Sequence, residues 1–133
     1  MAVIFPDVEA TLVGYFNSAF TALGSALATD VRVATKKAQP DETQPAKQLV
    51  INAAYNGEQD YVTKLASVTL EVYATDYGTA NQLGLLVESL IRGSTGNEIK
   101  RVTVRLGPVR TVEESDYEKR SIDAEIVVKG TDL

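Results

Sequence analysis

The sequence predicts an α+β fold: a mixed, mostly antiparallel β-sheet of about five strands, with two amphipathic helices packed on one face. Three observations carry this expectation. The segment Lys64–Gly93 reads as one long strand running straight into one amphipathic helix. A second apolar stripe, at three- and four-residue spacing, begins near the N-terminus. Three strand-like segments alternate apolar and polar residues, the pattern of a sheet with one buried face.

In chain order, Met1–Phe5 is a short apolar arm, and Pro6 and Asp7 open the first helix. Proline is favoured in a first helical turn, and Asp7 and Glu9 set negative charge at the positive end of the helix dipole. Val8, Leu12, Phe16, Ala19, Phe20, Leu23 and Leu27 form the stripe, so the helix is expected to end near Ala28–Asp30. Val31–Thr35 alternates as a short strand. Lys36–Gln48 is polar, holds two prolines and has no apolar period. It reads as a long exposed loop between two strands, either a plain hairpin loop or a docking arm that orders on a partner. Leu49–Tyr55 is apolar on both faces, which suits a strand inside the sheet. Asn56-Gly57 signals a turn and opens a second polar connection, Asn56–Tyr61.

The central unit follows. Val68, Leu70, Val72 and Ala74 alternate with Thr69, Glu71 and Tyr73. Asp76 or Thr75 can cap the helix, whose apolar face is Ala80, Leu83, Leu86, Val87, Leu90 and Ile91. Gly93 suits a left-handed helix end. Val102, Val104 and Leu106 alternate with Arg101, Thr103 and Arg105 in a strand that Gly107-Pro108 is expected to stop. Val109–Asp116 reads as an acidic loop, Tyr117–Lys129 as the last strand and Gly130–Leu133 as a tail. Thr69, Glu71, Tyr73, Arg101, Thr103, Arg105, Asp123 and Glu125 then share the sheet face away from the helices. That face meets either water or another subunit.

Length and composition set bounds. The 133 residues are the ordinary size of one domain, and residues 1–133 are read as one. The absence of cysteine removes disulfides, thiol nucleophiles and thiolate metal sites, and the absence of histidine removes the usual general base and the commonest zinc ligand. A net charge of −5 is opposite to that of a protein built to grip nucleic acid. No run of apolar residues is long enough to span a membrane. The opening M-A-V-I-F-P-D-V-E lacks the basic region of a signal peptide, so the chain reads as intracellular when made.

Carboxylates are the remaining catalytic or metal-binding candidates. Glu58 with Asp60, and Glu113 and Glu114 with Asp116, cluster in loops, but without the spacing of an EF-hand. Gly93 and Gly96 follow a helix rather than precede one, so they form no phosphate cradle. No cofactor, metal or catalytic residue is assigned, and no enzymatic activity is expected.

The opening Phe5–Glu9 leading into a long helix, the Val31–Thr35 strand before a proline-bearing loop, the Val68–Ala74 strand with its helix, and Gly107-Pro108-Val109 with a closing strand ending Val127–Gly130 together resemble the tail terminator and tail-completion (neck) proteins of long-tailed bacteriophages. The resemblance is one of pattern, length and order over most of the chain. The neutral Asn52–Tyr55 departs from it, where a basic or glycine-bearing segment is expected. It implies assembly rather than catalysis. Such proteins form a ring, usually of six subunits, on the head-proximal end of the tail tube. The ring stops tube polymerisation, presents the surface that joins the head through a connector or stopper protein, and lets DNA pass without specific binding. The implied location is the neck of a virion assembled in the host cytoplasm. A tube subunit, a connector or stopper, and more distantly a small ligand-binding domain are the alternatives. Loops with no core duty are the candidate contacts: Lys36, Lys37, Asp41 and Glu42; Glu58 and Asp60; Arg110, Glu113, Glu114 and Asp116.

Overall fold

Two helices cover one face of the sheet because each presents a single apolar stripe, and each starts at an aspartate. The computed structural model describes residues 2–39, 44–58, 62–96, 98–111 and 117–132. Helix α1 is Val8–Leu23; the Asp7 carboxylate accepts from the Ala10 N–H at 3.1 Å. Helix α2 is Tyr77–Arg92; the Asp76 carboxylate accepts from the Thr79 N–H at 2.9 Å. These caps satisfy backbone donors that no helical carbonyl can reach.

The strands are β1 (Val3–Ile4), β2 (Val31–Ala34), β3 (Lys47–Glu58), β4 (Thr63–Ala74), β5 (Ile99–Thr111), β6 (Glu118–Lys129) and β7 (Thr131–Asp132). Among the described residues, five form one sheet in the order β2-β3-β4-β6-β5. Its β2–β3 pair is parallel and its other pairs are antiparallel, so the sheet is mixed and mostly antiparallel, as expected. The Lys64–Gly93 unit supplies the central strand and α2. The core is Leu12 and Phe16 of α1, Leu83, Val87 and Ile91 of α2, and the even-numbered β4 and β6 residues Val68, Leu70, Val72, Ile122 and Ile126. The Tyr15 hydroxyl donates to the Leu90 carbonyl at 2.5 Å and ties α1 to α2.

Several expectations are corrected. Helix α1 ends at Leu23, not near Ala28–Asp30, because Gly24 takes φ 62°, a left-handed conformation that breaks the helix. The loop that follows is held by Lys47, whose Nζ donates to the carbonyls of Ala26 and Leu27 at 2.8 and 3.0 Å. Gly93 is not left-handed: its φ is −91°. Asn56-Gly57 makes no turn; β3 runs on through a register shift between Tyr55 and Gly57. Gly107-Pro108 does not stop β5. The strand bulges there and continues to Thr111, which an edge strand tolerates because its outward N–H groups need no partner. Finally, the N-terminal arm and the C-terminal tail pair as β1 and β7, with Val3 opposite Asp132.

Candidate interaction surfaces

The sheet face away from the helices carries a polar ladder. Arg105 pairs with Glu125 at 2.6 Å, and the Thr69 hydroxyl donates to Asp123 at 3.3 Å. Glu71 accepts from the Tyr73 hydroxyl at 2.7 Å and pairs with Lys119 Nζ at 3.0 Å. Burial pushes the Glu71 carboxyl up, but the Tyr73 hydroxyl and the Lys119 ammonium, with help from the Lys37 charge, outweigh it and hold the carboxyl below its ordinary value.

The long loop folds over one end of this face. Because β2 and β3 run parallel, the loop is a crossover and not a hairpin loop. Both of its shoulders are packed down, which corrects the expectation of a fully exposed segment. Ala38 is buried, and its N–H donates at 3.0 Å to the side-chain oxygen of Gln48, itself fully buried. Arg32 donates to the same oxygen at 3.4 Å and to the Lys36 carbonyl at 2.6 Å. Lys37 Nζ lies 4.8 Å from the Tyr73 ring centre and 5.2 Å from that of Tyr117, and the two rings meet edge to face. The Tyr117 hydroxyl donates to the Pro45 carbonyl at 2.5 Å.

At the far end of β5, Arg110 pairs with Glu118 at 3.1 Å and lies 5.4 Å from the centre of the Tyr77 ring. Arg120 lies beneath the same ring at 5.0 Å. Arg120 is only 2% exposed and sits on the apolar face of β6, where its Nε donates to Asn81 at 2.8 Å. Two buried polar atoms of this corner, Arg120 Nη2 and Thr111 Oγ1, lack a hydrogen-bond partner.

Of the candidate contacts, Lys36 is exposed, Lys37 is held between two aromatic rings, and Arg110 is exposed at the end of β5. Asp41, Glu42, Asp60, Glu113, Glu114 and Asp116 lie outside the described residues, as does the side chain of Glu58. Sequence reasoning missed Gln48, Tyr73, Tyr117 and Arg120 as organisers of these surfaces. Arg120 had a legible signal, since it keeps the two-residue phase of Ile122, Ala124 and Ile126. Among the described residues, no group of three or more His, Cys, Asp or Glu is placed to hold a metal ion, and no helix is long and apolar enough to cross a membrane.

No protein-family model and no curated protein matches the chain. Among solved structures, it is similar to a chain from the virion of a native gene transfer agent particle. The likeness has a TM-score of 0.54 at 15% identity and covers 86% of this chain and 92% of the other. At that identity, the likeness shows a shared fold.

Proposed function

We propose that the chain is a structural subunit of a phage-like particle, and specifically a tail terminator. It caps the head-proximal end of the tail tube as a ring, stops tube growth and offers the surface for head joining. The observation that carries the reading is the fold shared along 92% of a chain from a gene transfer agent virion. The chain's order of elements, which resembles the terminator family, narrows it. Its partners are then copies of itself in a ring of about six subunits, the tube protein, and a connector or stopper. A net charge of −5 suits a conduit that repels the DNA backbone and keeps it mobile. In this reading the protein acts by assembly rather than by catalysis.

Electron microscopy of particles made with this gene disabled tests the proposal. Overlong tails without heads are the expected result. Normal tails beside filled, tail-free heads indicate a connector or stopper, and absence of any tube indicates a tube subunit. Normal particles overturn the assembly reading.

A further inference from the structure

The five-stranded sheet ends on β2 at one edge and β5 at the other, and the two edges are closed in different ways. Strand β5 is blunted by its own backbone, which three register shifts and Pro108 interrupt. Strand β2 covers little of its side. Its four residues pair only with Lys47–Val50, while β3 runs on to Glu58. The uncovered stretch Ile51–Asn56 reads I-N-A-A-Y-N, with no charge and no proline, and its pairing with β4 is regular as far as Tyr55. A neutral, unbroken edge of this kind is a template for another strand. The segment Phe5–Glu9 lies along it. The Tyr55 hydroxyl donates to the Pro6 carbonyl at 2.7 Å, and the Phe5 and Tyr55 rings meet edge to face at 6.0 Å. In the first turn of α1, the Glu9 carboxylate accepts from the Ala53 N–H at 3.0 Å. Ala53 stands opposite Val68 of β4, yet its N–H is taken by Glu9, so that group faces the open side of the strand. The N–H groups of its neighbours Asn52 and Ala54 then face β4.

We infer that Glu9 guards this edge: its carboxylate occupies the outward N–H of Ala53 and so keeps the same edge of a second copy from pairing with β3. The excluded strand follows from the edge itself, since two copies of one neutral strand match each other in an antiparallel, self-complementary contact. The side chain blocks in two ways. It takes the donor that an incoming carbonyl would use, and it sets a negative charge where that carbonyl oxygen would sit. Its place in the first turn of α1, at the positive end of the helix dipole, suits the same charge. The guard does not depend on the terminator reading. Within that reading, it keeps a closed pair of subunits from competing with the head-to-tail contacts of a ring.

Amide exchange on the dilute full chain, with sedimentation across concentration, tests this by comparing wild type with Glu9→Ala and Glu9→Gln. Glu9→Ala is expected to speed exchange at Ala53 at least about tenfold, while Asn52 and Ala54 stay slow. It is also expected to self-associate at about tenfold lower concentration than wild type. Glu9→Gln keeps a side-chain oxygen that can accept from Ala53, and is expected to follow wild type in both measurements. A Glu9→Ala chain that associates no more readily than wild type overturns the inference. Equal acceleration at Asn52, Ala53 and Ala54 also overturns it, since Glu9 would then support the whole fold rather than the edge. So does a Glu9→Gln chain that associates as readily as Glu9→Ala. Tail length plays no part in these readouts, so failure of the terminator proposal and failure of the guard are seen separately.

Discussion

The hydroxyl of Tyr117, at the entrance to β6, donates at 2.5 Å to the carbonyl of Pro45 in the long crossover loop, 72 residues earlier in sequence. This bond and the Lys37 ammonium between the Tyr73 and Tyr117 rings fix both shoulders of the loop to the outer sheet face. A loop held at both shoulders presents a defined surface to a partner and pays less entropy on docking.

Replacing Tyr117 with Phe removes that bond and keeps the ring. The expected cost is about 0.5–1.5 kcal/mol. Amide exchange is expected to speed up at Gln44 and Ala46 and stay slow in β4. Equal acceleration in both would show that the bond supports the whole fold rather than the loop.

Gly130 is required by a close approach. A Cβ there would overlap the Val3 side chain and sit 3.1 Å from Phe5 Cε1 and 3.2 Å from the Ile4 carbonyl oxygen. The neighbours include backbone, so they cannot simply rotate away. Gly130→Ala is expected to cost about 1–3 kcal/mol and to loosen the β1–β7 pair. Denaturation midpoints with wild-type cooperativity and stability would contradict this.

The arms and strands differed in how legible they were. Periods of two and of 3.6 are strongly expressed in Lys64–Gly93, so the central strand, its helix and the buried face were readable. The direction of β2 against β3 was not, since no local pattern encodes parallel pairing. Gly107-Pro108 misled because a breaker acts differently on an edge strand than inside a sheet. Gly24 carried the true end of α1, but the apolar stripe ran past it to Leu27. The surfaces were the least legible. Lys37, Tyr73, Tyr117 and Gln48 meet only through the fold, and each alone looks like an ordinary loop or strand residue.

The ring proposal carries a charge prediction of its own. Lys36 and Lys37 in one loop segment of the sequence, and Glu113, Glu114 and Asp116 in another, carry opposite charges that neighbouring subunits can pair. Glu113→Lys with Glu114→Lys is expected to weaken ring assembly, and raised salt to do the same to wild type. Negative-stain counts of rings that respond to neither would remove this pair from the assembly contacts.

Glu71 sets the acid-side behaviour of the outer face. Its folded carboxyl titrates below the ordinary value of 4.5, with burial opposing and Tyr73, Lys119 and Lys37 prevailing. A depressed folded value means that the stabilisation is fully present above the unfolded value. It is lost as pH falls through the folded one. Asp76 behaves in the same sense, chiefly through the Thr79 N–H. Glu71→Gln keeps the shape and can still accept from Tyr73, but loses the ionic part of the Lys119 pair, in which both side chains are 22% exposed. The expected cost at neutral pH is about 1 kcal/mol. Urea midpoints should converge as pH drops below the carboxylate range, since wild type loses there what the variant already lacks. The variant should keep a shallower acid slope of its own from Asp76. An acid slope identical to wild type would show that the Lys119–Glu71 pair, though formed, contributes nothing to stability.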